Sequence, residues 1–325
     1  LKTVTVGVND AGKRLDKFLM KTFGSLPASM MYKGIRTKNI KLNGKRCAIG
    51  DKLEKGDIVS LYLKDNLLTE TPTVYDFLSA PASLDVLYED ENMMLLNKKV
   101  GLLVHPDDKE YRDTLISRVQ HYLYDKGEYN PDEENGFAPA LVNRIDRNTC
   151  GIVIAAKNAS ALRVLNERLR RRQIRKFYMC IVHGKPKKEE ETLEAFLEKD
   201  EEHNRVKIHR RSAAGTRSIT TKYRLLETRE QLSLLEIELL TGRTHQIRAH
   251  LSSVGLPLLG DGKYGRGDLD KNTGFTKQAL CSYKLIFDFP QEDDSDSEMN
   301  LLNYLNGREY ALEDVWFVPL FRKGL

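Results

Sequence analysis

The sequence predicts a mixed α+β fold, and two observations carry that expectation. Strand-like runs come singly and in meanders, without a regular strand-helix alternation, and segments with helical spacing of apolar residues interrupt them. A third observation, charge asymmetry, predicts a separate module at the front of the chain. Residues 1 to 66 hold 14 Lys or Arg against 6 Asp or Glu, while the whole chain carries only +5. A compact basic unit on a slightly acidic body points to a polyanion as the unit's partner. At 325 residues the length fits one large core-bearing domain plus a smaller one.

Taken in order, residues 14 to 40 read as helices, with Leu15, Phe18, Leu19, Met30, Met31 and Ile35 as apolar positions broken by the stretch Gly24 to Pro27. Ile40 to Leu42 is a short strand leading into an Asn43-Gly44 turn, and Ile58 to Leu63 has strand composition. These define a small helix-strand unit over residues 1 to 65. Residues 66 to 82, rich in Thr and Ser with Pro72 and Pro81, read as a linker. The larger domain, 83 to 325, opens with strands at Leu84 to Tyr88 and Met93 to Asn97 around an acidic turn. Further strands are expected at Gly151 to Ala156, Lys176 to Val182, Ile219 to Leu226 and Leu232 to Leu240. Helices are expected at Ala159 to Arg172 and Thr244 to Val254. The acidic stretch 291 to 298 reads as a solvated loop.

Composition excludes several classes. Hydrophobic content of 40% with 30% charged residues describes a globular protein, and no apolar run approaches the roughly 20 residues needed to span a bilayer. Leu1 opens a polar, basic stretch without a signal-like apolar region, so a cytoplasmic protein is expected. Cys47, Cys150, Cys180 and Cys281 are far apart and form no Cys-x-x-Cys pair, which argues for buried, reduced thiols rather than a disulfide framework or zinc ribbon.

Chemistry concentrates in a few segments. Asp146 lies in Asn143-Arg144-Ile145-Asp146-Arg147-Asn148-Thr149-Cys150-Gly151, flanked by two arginines that favour its ionised form. Such a carboxylate serves as a nucleophile or a base, or it is a solvated turn residue. In Thr241 to Leu251, Gly242 makes the turn after a strand, Thr244 or a neighbour caps the next helix, and Arg243 sits between them, suited to an anion such as phosphate or the Asp146 carboxylate. His245 and His250 are spaced by five, which does not put two imidazoles on one helical face, so no metal site is expected. Gly260-Asp261-Gly262-Lys263-Tyr264-Gly265 matches G-x-G-x-x-G only formally, because no clear strand precedes it and no helix follows. Between Arg163 and Lys176 stand seven basic residues and one acid, Glu167, a density suited to phosphate contacts. Tyr178, just beyond, offers a ring for stacking on a base or for the core.

Together these segments resemble the RluA-type RNA pseudouridine synthases. The Asp146 segment is similar to the family's H-R-L-D-x-x-T-S-G motif, with Asn143, Ile145 and Cys150 in place of His, Leu and Ser. Leu240 to Leu251 followed by Gly255 to Asp261 and Tyr264-Gly265 resembles its second motif. Tyr88 to Glu91, Asn97-Lys98 and Gly101 to Pro106 resemble its first, with Lys99 where Pro is usual. Residues 14 to 63 resemble the ribosomal S-four-like RNA-binding module.

The resemblance implies a largely antiparallel bent sheet flanked by helices and a uridine-to-pseudouridine isomerase that uses no cofactor and no metal. It implies Asp146 as nucleophile or base, Arg243 as its charge partner, and Tyr178 stacking on the uracil. RNA contacts are expected from Arg144, Arg147, Arg170, Arg171, Arg172 and Lys176, and in the module from Arg14, Lys17, Arg36 and Lys45. The expected partner is RNA, with large-subunit ribosomal RNA preferred over transfer RNA, bound by a monomer with no membrane association. A non-catalytic RNA-binding or assembly factor is the alternative.

Overall fold

The computed structural model describes residues 1–63, 75–134, 137–271, 273–289 and 298–324. The first unit contains β1 (Lys2–Thr5), α1 (Leu15–Thr22), α2 (Ala28–Arg36), β2 (Ile40–Leu42), β3 (Lys45–Arg46) and β4 (Ile58–Leu61). Its strands pair antiparallel in the order β1-β4-β2-β3. Asn43 and Gly44 both take positive φ, 49° and 73°, which is what a two-residue hairpin turn between right-twisted strands requires. The Asn43 side chain locks this turn to β4, accepting from the Ile58 N–H at 2.8 Å and donating to Asp57 at 2.7 Å. Leu15, Phe18 and Leu19 from α1 and Met31 and Ile35 from α2 meet Ile40, Val59 and Leu61 in a closed core.

The larger body begins upstream of residue 83. Of the expected linker, residues 66 to 74 lie outside the described residues, but Asp76–Ser79 form a 3-10 turn whose Phe77 is buried against Leu115, Val119 and Leu123. The elements that follow are β5 (Val86–Glu89), β6 (Met93–Lys98), α3 (Leu115–Asp125), β7 (Ala140–Leu141), β8 (Cys150–Ala156), α4 (Ala159–Arg170) and β9 (Ile174–His183). After them come β10 (Glu190–Asp200), β11 (Arg205–His209), β12 (Arg217–Arg229), β13 (Leu232–Leu239), α5 (Gln246–Ser253), α6 (Gly267–Asp270), β14 (Leu280–Phe287), β15 (Glu309–Ala311) and α7 (Phe317–Lys323). The acidic stretch up to residue 297 falls outside the described residues.

One mixed sheet holds this body together, in the order β11-β10-β12-β13-β9-β14-β8-β6-β5, with β7 on β8 and β15 on β14. Its pairings are antiparallel except β14 with β8, which is parallel. Strand β8 is buried along its whole length. Val153 and Ala155 face α3, while Ile152, Ile154 and Ala156 face α4. A strand covered on both faces has no reason to alternate polar with apolar residues, and Gly151 to Ala156 accordingly reads as an unbroken apolar run. The covering helices start on side-chain caps: Thr114 accepts from the Ser117 N–H and Asn158 from the Ala161 N–H. No described helix is long and apolar enough to cross a membrane.

Candidate active site

The turn that carries Asp146 lies between β7 and β8 and is held from three sides. The Thr149 N–H closes it onto the Asp146 carbonyl at 3.0 Å. The Arg147 carbonyl accepts from the Gly101 N–H at 2.9 Å and from Lys98 Nζ at 3.0 Å. Lys98 is only 1% exposed and also donates to the Lys99 and Leu102 carbonyls, at 3.0 and 2.7 Å. Burial depresses its pKa to about 8, so three carbonyl oxygens hold a cation that the interior disfavours. At the other end of the turn Gly151 has φ 107°, and a Cβ there would stand 2.2 Å from the Ser282 carbonyl oxygen of β14. Only glycine lets the two strands approach so closely.

Opposite Asp146 stands α5, and here the expected pairing is corrected. The partner of Asp146 is Arg248, whose Nη1 lies 2.7 Å from Oδ2. Arg243 is an exposed residue at the cavity's edge. The physical reason is burial: α5 is enclosed by the body from Gln246 to Leu251, which takes Arg248 inside, whereas Arg243 precedes the helix in an exposed turn. No side chain caps α5. Instead buried Gln246 ties the preceding turn down. Its Oε1 accepts from the Arg243 N–H and Thr241 Oγ1, and its Nε2 donates to the Thr220 carbonyl and Thr221 Oγ1.

Arg248 is aimed by a second carboxylate. Asp261, 1% exposed, takes Arg248 Nε and Nη2 in a two-pronged pair at 2.7 Å each, and also accepts from the Lys263 and Tyr264 N–H groups. With those two nitrogens engaged, Nη1 is the part of the guanidinium left for Asp146. Burial raises the pKa of Asp261, but the Arg248 contacts outweigh it and the net direction is down. Burial lowers Arg248 likewise, and the two carboxylates reverse that to a net rise. Gly260 to Gly265 folds its aspartate back onto α5. Arg248, Asp261, Gln246 and Lys98 escaped sequence reasoning. The place of Arg248 inside the expected helix Thr244 to Val254 was the signal for the first.

Tyr178 closes the floor. It is 5% exposed on β9 and lies in register with Ser282, and burial pushes its phenol up to about 12, with the Ser282 side-chain hydrogen bond opposing. It is therefore a neutral phenol at pH 7. Asp146, Tyr178, Arg248 and His245 line a cavity of about 500 Å³. Asn143, Arg144, Arg170, Lys176 and Arg243 line it too. Burial lowers the pKa of Lys176, with Arg172 acting the same way.

The other expected RNA contacts are dispersed. Arg147 turns away, donating to the Gly101 carbonyl in a neighbouring cavity. Arg170 and Arg171 share Glu167 at the end of α4, and Arg172 is exposed with φ 61°. Arg14 pairs with Asp16, and Lys17 and Lys45 are exposed. Arg36 lines a separate groove with Lys33, Arg46 and Tyr32. His245 and His250 diverge, toward Tyr264 and Thr221 respectively. Among the described residues no group of three or more His, Cys, Asp or Glu could hold a metal ion.

Comparison with known proteins bears on this geometry. Residues 92–253 match the RNA pseudouridylate synthase family. An uncharacterised RNA pseudouridine synthase of Bacillus subtilis is 31% identical over 89% of this chain and 90% of its own length. A ribosomal large subunit pseudouridine synthase D of Borreliella burgdorferi is 33% identical over 86% and 84%. The fold is shared with the human RNA pseudouridylate synthase domain containing 1 protein, at TM-score 0.51 and 18% identity over 79% of this chain and 97% of that one. The loop that presents Asp146, the helix that aims Arg248 and the matched segment coincide, and the chain belongs to the RNA pseudouridine synthases, a family of isomerases.

Proposed function

We propose that this protein isomerises uridines in large-subunit ribosomal RNA, with Asp146 as the reacting carboxylate. The observation that carries the reading is the Asp261–Arg248–Asp146 chain at the base of a cation-lined cavity. An RNA-binding protein without catalysis has no use for a buried aspartate whose task is to aim an arginine at a second, accessible one. Arg248 keeps the Asp146 carboxylate oriented. Asp146 acts at the sugar or the ring as nucleophile or base, and Tyr178 gives the uracil a flat, neutral surface with a proton to share.

A uridine in a stem reaches this cavity only by leaving the stack, at a cost of a few kcal/mol. Arg144, Arg170, Lys176 and Arg243 on the cavity wall supply phosphate contacts that offset it. The basic N-terminal unit, in this reading an S-four-like RNA-binding module, grips RNA away from the reacting nucleotide. Ribosomal RNA is preferred because relatives such as that of Borreliella burgdorferi carry the large ribosomal subunit in their names.

The test is a map of pseudouridines in total RNA from cells with and without the protein, and from cells carrying Asp146→Asn. Sites in large-subunit ribosomal RNA should vanish in both altered strains, while purified Asp146→Asn still binds RNA. Normal modification by Asp146→Asn would overturn the catalytic assignment; losses confined to transfer RNA would overturn the target.

A further inference from the structure

His245 has one ring nitrogen engaged and the other without an acceptor. It stands in the left-handed region, φ 53°, immediately before α5, and lines the cavity. Nδ1 lies 3.0 Å from the Tyr264 hydroxyl. That hydroxyl oxygen already accepts from the Val206 N–H at 2.8 Å, which leaves its own proton free to be donated to Nδ1. An imidazole that accepts at Nδ1 carries its proton on Nε2 and is neutral. Burial lowers the pKa of His245 from its ordinary value; Arg248 and Lys263 add to that, while Asp146 and Asp261 oppose it. Nε2 is 4.0 Å from Asp146 Oδ2, too far for a hydrogen bond. Among the described residues nothing else accepts from it.

We propose that His245 is a catalytic hydrogen-bond donor whose Nε2–H binds a carbonyl oxygen of the target uracil beside Asp146. The inference rests on the reading of this site as a pseudouridine-forming one. In that reaction the C1′–N1 bond breaks and its electron pair passes to the uracil ring and its carbonyl oxygens. A C1′–C5 bond then forms, C5 loses its proton and N1 gains one. Negative charge therefore collects transiently on the carbonyls. A fixed neutral donor is suited to meet it, because it gains strength as the charge develops. An imidazolium would pair with Asp146, 4.0 Å away, instead of offering its Nε2–H to the uracil.

The experiment uses the full chain and an RNA containing one mapped target uridine. Asparagine tolerates the left-handed backbone and retains an amide near the Nδ1 position, but has nothing where Nε2 stood. His245→Asn should lower the single-turnover rate about 10²-fold with RNA affinity changed less than about twofold. The target uracil is then made with sulfur, a poorer acceptor, replacing one carbonyl oxygen at a time. One of the two thio-substituted RNAs should slow the wild-type protein markedly while leaving His245→Asn no slower than it already is. A His245→Asn rate close to wild type would overturn the proposal, as would equal slowing of both proteins by both thio-RNAs. A wild-type protein that makes no pseudouridine would instead overturn the function itself, and this role with it.

Discussion

At the scale of single residues, the site depends on charges arranged in series. Asp261 is buried, Arg248 is buried between two carboxylates, and Asp146 is the member that reaches the cavity. Removing one partner of such a pair costs more than forming it contributes, because the other charge is left uncompensated. Asp261→Asn should therefore lower stability by about 3 kcal/mol, read from urea unfolding. It should also slow turnover about 10²-fold through a misaimed Arg248, since displacements near 1 Å have that effect, with RNA affinity unchanged. An Asp261→Asn protein with full turnover would show that Arg248 is oriented by something else. This inner carboxylate was not legible in advance, since Gly260 to Gly265 looks in one dimension like a failed nucleotide-binding turn. Only the fold brings it within hydrogen-bond reach of α5.

At the scale of elements, α5 is buried all round from Gln246 to Leu251, a stretch that includes three polar side chains: Gln246, Arg248 and His250. Its hydrophobic pattern is correspondingly weak, and sequence reading located the helix without its burial. That is why Arg243, whose position beside a glycine turn suggested an anion site, stood in for Arg248. Strands with plain apolar content, such as β6, β8 and β13, were legible within a residue or two. β10, with four glutamates among eleven residues, and β14, whose apolar run was not singled out, were not. His250 offers a direct check on this burial. It bonds Thr221 Oγ1 at 3.0 Å, and burial takes its pKa from 6.5 to about 4. The unfolded chain binds a proton near pH 6.5 that the folded one refuses until about pH 4. Stability is then complete above pH 6.5 and falls as pH drops from there toward 4, by about 3 kcal/mol from this group. In His250→Asn, unfolding free energy measured between pH 7 and pH 4 should lose that part of its slope. An unaltered slope would mean the histidine is not shielded.

At the scale of the whole molecule, the proposed function assigns RNA to two cationic surfaces, the groove of the N-terminal unit and the cavity wall. Lys33, Arg36 and Arg46 line the groove on exposed positions. Each phosphate they neutralise steepens the fall of affinity with salt. Replacing all three by Gln should reduce the slope of log affinity against log salt by about 2 to 3 while single-turnover rates at saturating protein stay unchanged. A slope that does not move would remove the unit from RNA contact. The asymmetry behind this expectation was fully legible, because charge needs no folding to be counted.

The sheet order has a consequence for how the protein is made. β14 lies between β8 and β9, although residues 184 to 279 are synthesised before it and after both of them. The backbone that Gly151 packs against, and the serine in register with Tyr178, both belong to β14. A chain emerging from the ribosome can complete its N-terminal unit early, from contacts near in sequence. The pocket around Asp146 cannot be complete until residue 282 is free to insert, so the N-terminal unit can fold well before the site does.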